Sequence, residues 1–293
     1  MGSNMSMTMP FKKVSTDMPK DELISSFVFN ASMERFPIIS YKDIDFIDNP
    51  KSIWSGYLKG SYHGTACSIY KLPYQTINMA ALPSYIDTIK ELANRRHPNV
   101  LIVYGVFQNK SNDLFVALER TENGTLRNLL DSELRYHLTW TDHFHEICIH
   151  VCRALMNYHA TGLSHRDINS SSINVGLTTH TTKLGKYNLF QQEHDHVHHI
   201  YIAPEVLLGN SDHTQASDVY AFGIILYEIV SGMKPWEVPT HTRSLDTYRP
   251  EFPIDTKGFP KYVSDLYHAC TAYVATERPS IKTVLQTLMS DHA

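Results

Sequence analysis

The hydrophobic positions of the chain change period near residue 124. Before it, short β-rich segments predict strands at Pro37–Ile47, Ser55–Tyr62 and Ala66–Leu72, and His63-Gly64 between the last two reads as a hairpin turn. Pro83 opens a helical stretch to Arg95, and apolar runs at Leu101–Phe107 and Leu114–Glu119 flank the polar turn Asn109–Asp113. Beyond Gly124 the period becomes helical. Helices are predicted over Leu126–Leu130, Trp140–His159 closed by Gly162, Ala216–Val230 closed by Gly232, Pro260–Ala272 and Ser280–Met289. Strands segregated from helices in this order predict an α+β architecture of two lobes, with a natural ligand cleft between them. We expect a tail with one short capped helix over 1–36, an N-lobe of a five-stranded antiparallel sheet plus one helix over 37–119, a hinge at 119–123 and a mainly helical C-lobe over 124–293.

Composition changes this picture little. Of 293 residues, 42% are hydrophobic and 19% charged, as in globular proteins, and the formal net charge of −4 gives no reason to expect a nucleic-acid or anionic-membrane binder. The most apolar stretch, Val219–Val230, is too short to span a membrane and is broken by Glu228. Cys67, Cys148, Cys152 and Cys270 form no CxxC pair and are expected to pack in a core, which fits a reducing cytoplasm. His194, His196 and His198 alternate as ligands on one strand face would, but no cysteine or acid is spaced to close a tetrahedral site, so no metal is expected. Met1-Gly2-Ser3-Asn4-Met5-Ser6 fits both a myristoylation pattern and a cloning remnant, and both readings stay open.

Four motifs in fixed order resemble the protein-kinase signature set: His165-Arg166-Asp167, Ala203-Pro204-Glu205, Asp218-Val219-Tyr220-Ala221-Phe222-Gly223 and Arg278-Pro279-Ser280. The resemblance implies a bilobal protein-kinase-like fold. It also implies roles: His165 packs beneath the cleft, Asp218 caps the backbone of the loop carrying Asp167, and Glu205 pairs with Arg278. Several positions depart from the family pattern. Tyr70 stands at the place of the phosphate-holding lysine, with Lys71 on the opposite strand face; Thr88 replaces the helix glutamate, and Ser172 the catalytic-loop asparagine. Lys186-Tyr187-Asn188 occupies the place of the metal-binding Asp-Phe-Gly, and Pro50, Ser52 and Ser55 stand at the three glycine positions of the phosphate loop. Phosphoryl transfer depends on charge placement, so these substitutions lead to the expectation of a pseudokinase: no enzyme, no cofactor, and His165, Arg166 and Asp167 kept for structure.

Gly124-Thr125-Leu126-Arg127-Asn128-Leu129-Leu130-Asp131, the Ser170-Ser171-Ser172 run, Lys183-Leu184-Gly185 and Leu58-Lys59-Gly60-Ser61-Tyr62-His63 look like the pseudokinase domains of the mixed lineage kinase domain-like family. About 36 residues precede the kinase-like region, too few for that family's four-helix bundle, so the truncated poxviral members are the nearest match expected. The resemblance implies a necroptosis-inhibiting decoy in the host cytoplasm that binds receptor-interacting protein kinase 3. The segment Leu189–Glu205 contains no Ser or Thr, so a serine/threonine kinase docked there finds no hydroxyl to modify. Candidate contacts are Phe190, Gln191, His194, His196, His198 and Tyr201. The alternative is a nucleotide-binding or weakly active serine/threonine kinase-like signalling protein.

Overall fold

The computed structural model describes residues 38–48, 57–72, 91–111, 113–121, 124–176, 181–185, 199–235, 249–253 and 258–290. Five antiparallel strands, β1 (Ile44–Phe46), β2 (Leu58–Tyr62), β3 (Thr65–Lys71), β4 (Val103–Gln108) and β5 (Leu114–Glu119), form one sheet in the order β1-β2-β3-β5-β4. The hairpin between β2 and β3 turns where the sequence predicts. Tyr62 pairs with Thr65, and both His63 (φ 48°) and Gly64 (φ 77°) take the left-handed conformation that a two-residue turn of this twist requires. The strand expected over 37–47 is shorter than its apolar run suggests. Ser40 accepts a hydrogen bond from the Lys42 amide and winds Tyr41–Asp43 into a 3-10 turn, leaving only β1 extended.

Alternation along the strands divides the sheet between two cores. Cys67, Ile69, Phe107, Phe115 and Ala117 pack on one face, and Leu72, Val106, Val116 and Leu118 join the large core on the other. Tyr70 also packs against that second core, so β3 turns Ser68 and Tyr70 toward the C-lobe and Cys67 and Ile69 away from it.

The C-lobe is built on six helices among the described residues: α1 (Leu126–Asp131), α2 (His145–His159), α3 (Pro204–Leu207), α4 (Gln215–Ser231), α5 (Lys261–Cys270) and α6 (Ile281–Ser290). α4 is apolar on nearly every side and is the central helix, capped by a Thr214–Ser217 box and ended by Gly232 at φ 66°. α2 is entered through a single π turn, Trp140–Phe144, which the helical period alone does not distinguish from the helix that follows. A short antiparallel pair, β6 (Ile173–Asn174) and β7 (Lys183–Leu184), links the lobes at the back. Leu101 N–H donates to the Leu184 carbonyl at 2.9 Å, and Leu184 N–H donates to the Asn99 carbonyl at 2.8 Å. All four cysteines are buried thiols in the two cores. No helix among the described residues is long and apolar enough to cross a membrane. The expected helix over 83–95 is described only at 91–94, and the short tail helix lies outside the described residues.

Candidate functional site

Between the sheet and the helices lies a cleft of about 680 Å³. Its upper wall is Tyr57, Lys59, Ser68 and Tyr70; its lower wall comes from the N-terminus of α1 and from Ser171 and Asn174. Among the described lining residues three carry cations, Lys59, Arg120 and Arg127, the last with its guanidinium drawn to Glu228, and none is a carboxylate. A concave site with this charge suits an anionic ligand.

β3 decides which side chain faces the cleft. Tyr70 points in, its ring 5.4 Å from that of Tyr57, and burial pushes its phenol well above the usual range, so it stays neutral. Lys71 points to the opposite face and pairs with Asp113 at 2.7 Å. The hydrogen bond from Lys71 holds Asp113 below the ordinary carboxylate range despite partial burial.

Below the cleft, the loop carrying His165-Arg166-Asp167 is gripped by Asp218 of α4. Asp218 accepts from the His165 amide at 2.7 Å and the Arg166 amide at 2.9 Å, and it also binds the His159 ring at 2.9 Å. This grip holds Arg166 at φ 70°, a left-handed conformation that costs a non-glycine residue about 1–2 kcal/mol. His165 is fully buried, edge-on to Tyr158, with Nε2 3.2 Å from the Gly185 carbonyl. Burial lowers its pKa to about 4, so the ring is neutral at neutral pH. Asp167 Oδ1 accepts from Asn169 Nδ2 at 2.7 Å, which fixes the carboxylate beside a small cavity bordered by Arg166, Tyr201 and His213. Asp167 lines that cavity and not the larger cleft. Ser172 is fully buried, donating to the Asn169 carbonyl at 2.8 Å and accepting from the Asn169 amide at 3.0 Å. Farther out, Arg278 grips Glu205 with two nitrogens, each at 2.7 Å, which ties α3 to the segment before α6.

The remaining sequence candidates divide in two. Tyr201 is buried, its phenol 3.4 Å from Ser170 Oγ, so it faces the interior instead of being presented to a partner. Thr88, Lys186, Tyr187, Asn188, Phe190, Gln191, His194, His196 and His198 lie outside the described residues.

Two pairings escape the sequence reading. Glu119 at the end of β5 accepts from Lys183 of β7 at 2.6 Å and from the Ile102 amide at 3.1 Å. Arg127 of α1 donates to Glu228 of α4 at 2.7 Å, across 101 positions of sequence. Glu228 announced itself only as an acid inside an apolar helix, which must find a partner once buried. Nothing in its spacing names Arg127.

A curled five-stranded sheet over a helical lobe, joined at a hinge and enclosing a cation-lined cleft, is the bilobal protein-kinase-like fold. The model of the protein tyrosine and serine/threonine kinase family matches residues 51–288, and the chain belongs to that family. Curated relatives include a probable LIM domain-containing serine/threonine-protein kinase of Dictyostelium discoideum, 29% identical over 286 residues that cover 92% of this chain and 28% of the relative. A second probable serine/threonine-protein kinase of that organism is 29% identical over 86% of this chain and 43% of its own length. A leaf rust 10 disease-resistance locus receptor-like protein kinase-like protein of Arabidopsis thaliana is 26% identical over 75% and 38%. The chain thus spans less than half the length of these relatives.

These findings correct the expectation that the chain is not an enzyme. The two Dictyostelium relatives are named as probable serine/threonine-protein kinases and the family model runs through both lobes. Substitutions judged one at a time against a motif overlook the cations that the rest of the cleft supplies. The family implies a nucleotide with a divalent metal. Lys59, Arg120 and Arg127, with the Ser68 and Thr121 side chains beside them, fit the anionic nucleotide. No group of three potential metal-ligating side chains occurs among the described residues, so no step is drawn through a metal.

Proposed function

We propose that this chain is a kinase-like signalling domain that binds a nucleoside triphosphate in the interlobe cleft and transfers its terminal phosphoryl group, weakly, to a serine or threonine hydroxyl. The observation that carries this reading is the cleft wall, where the described residues bring Lys59, Arg120 and Arg127 and no carboxylate, over a loop whose one acid, Asp167, is oriented by Asn169. In this reading the acceptor oxygen attacks the terminal phosphorus, the bond to the bridging oxygen breaks, and the acceptor proton passes to Asp167. Family membership and the named activity of the relatives support it. Transfer of labelled phosphate from ATP to a generic serine/threonine substrate tests it. The Asp167→Asn variant should lose about 100-fold or more. Undetectable transfer by the parent protein, or transfer untouched by the substitution, overturns it.

A narrower reading concerns the partner and does not depend on phosphoryl transfer. We propose that the chain, like the mixed lineage kinase domain-like proteins its motifs resemble, engages receptor-interacting protein kinase 3 in the cytoplasm through Phe190, Gln191, His194, His196 and His198, and so restrains necroptosis. The absence of Ser and Thr from Leu189–Glu205 favours it, because phosphorylation there cannot release the complex. Co-purification with that kinase domain, lost when Phe190 and Gln191 are both replaced by Ala, is the expected result; no co-purification sinks the idea.

A further inference from the structure

Four polar groups from four separate elements meet behind the cleft. Glu228 of α4 is fully buried. Its Oε1 accepts from Arg127 Nη1 at 2.7 Å and from Ser170 Oγ at 2.9 Å. Its Oε2 is buried without a hydrogen-bond partner, as is Arg127 Nε. The Tyr201 phenol lies beside the same carboxylate. Arg127 Nη2 reaches Asp131 at 2.9 Å, on the exposed side of α1, and Lys234, after α4, stands 4.0 Å from Asp131. Among the described residues, Arg127 and Tyr201 are thus the titratable groups beside Glu228, with Arg127 the one charge in direct contact, and Asp131 and Lys234 lie beyond Arg127.

This is a balanced but incomplete ion pair. A buried carboxylate needs most of its lone pairs satisfied, and beyond Arg127 and Ser170 this one has the neutral Tyr201 phenol beside it. Burial, opposed by Tyr201, Arg127 and Ser170, raises the Glu228 pKa to about 7, so its charge is in play at ordinary pH. Arg127 is at the same time one of the residues lining the cleft, yet its side chain is only 8% exposed because Glu228 holds it inward. Lys59 and Arg120, the other two cations of the wall, have no carboxylate beside them among the described residues of that lining.

We propose that Glu228 is a proton-operated latch on Arg127: a proton on its carboxylate removes the buried countercharge and frees the guanidinium to join Lys59 and Arg120 as the third cation around a phosphate- or sulfate-like anion in the cleft. By linkage, an anion that draws Arg127 out raises the proton affinity of Glu228 by the same factor. The inference rests on the cleft as an anion site but not on phosphoryl transfer.

Sulfate is the probe, because it remains a dianion between pH 6 and pH 8. Titration calorimetry on the whole chain should show sulfate bound about fivefold more tightly at pH 6 than at pH 8. Glu228→Gln should bind tightly at both, and Arg127→Met weakly at both. The histidines add a pH dependence of their own, so the decisive quantity is the difference between the parent and Glu228→Gln. Equal pH dependence in the two overturns the latch. Should either variant fail to fold, the parent alone suffices: at pH 7, sulfate binding measured in buffers of different ionisation enthalpy should take up protons, and zero uptake overturns the proposal. Adenosine diphosphate that displaces sulfate assigns the anion to a nucleotide, and sulfate that stays assigns it to a free oxyanion; both support the latch. A kinase assay that fails while sulfate binding keeps its Glu228 dependence removes the phosphoryl-transfer reading and leaves this one standing.

Discussion

At the scale of single residues, two buried groups whose shifts bear on the range between pH 4 and pH 7, His165 and Glu228, work against each other. His165 has its pKa lowered by burial from 6.5 to about 4, so the unfolded chain takes up a proton before the folded one as pH falls. Its contribution to stability is therefore present above about 6.5 and lost as pH falls toward 4. Glu228 has its pKa raised from 4.5 to about 7, chiefly by burial, so between those values the folded protein holds a proton that the unfolded chain has released. That term favours the fold at the acid end and is lost as pH rises through 7. Between about pH 4.5 and 6.5 the slopes oppose, and the parent protein should be nearly insensitive to pH there. Removing one group exposes the other. Glu228→Gln should gain about 1–2 kcal/mol of stability between pH 5 and pH 7 relative to its own value at pH 5, and His165→Gln should lose about as much over the same range. Urea unfolding at three pH values checks both; parallel curves for parent and variants would show that neither group titrates in this window. Neither shift is legible in the sequence, because each arises from burial that only folding produces, against the opposing pull of Asp218 and Gly185 at His165 and of Tyr201, Arg127 and Ser170 at Glu228.

At the scale of elements, the hairpin between β2 and β3 is the place where sequence and backbone can be matched most directly. Both of its turn residues sit at positive φ, and Gly64 has nothing within 4 Å of where a Cβ would stand. Gly64→Ala should then cost only the conformational strain, about 1 kcal/mol, with no packing term added. His63→Asn should stabilise by about 0.5 kcal/mol, because asparagine tolerates the left-handed region better than histidine. Thermal unfolding of the two variants separates them by sign. Most strands and helices are equally legible, since the short apolar runs of β3 and β5, buried at three and five successive positions, and the capping residues of α1 and α4 are local signals. Where the reading missed, a local signal competed with the apolar pattern. The Ser40 side chain bent a run that hydrophobicity alone extends into a strand, and the π turn at Trp140–Phe144 has the same apolar spacing as the helix it precedes. The strand-face argument about β3 was correct in geometry, with Tyr70 inside and Lys71 paired with Asp113 outside. That geometry does not imply the absence of an enzyme, because a face assignment at one strand says nothing about Lys59 on the neighbouring strand or Arg120 after β5.

At the scale of the whole molecule, the two lobes are joined by more than the hinge. Leu101 and Leu184 exchange backbone hydrogen bonds with the opposite lobe, and the Glu119–Lys183 pair at 2.6 Å closes the same seam from the hinge side. Both members of the pair are about one-fifth exposed, so solvent screens it and its net worth to global stability is small, about 1 kcal/mol or less. Its value lies in position. Glu119 uses its second oxygen on the Ile102 amide, so one carboxylate binds the end of β5, the start of β4 and β7 together. Loss of the cation should therefore loosen the seam without unfolding either lobe. In Lys183→Met, hydrogen exchange at the Leu101 and Leu184 amides should speed up about fivefold, equivalent to roughly 1 kcal/mol of local opening. The amides of α4, deep in the C-lobe, should exchange as in the parent, because α4 draws its protection from burial along nearly its whole length. Uniform acceleration across both lobes would mean that the pair supports global stability instead of the joint. An unchanged seam would mean that the backbone bonds hold it alone, and that the cleft between the lobes owes its shape to the strands and not to this charge.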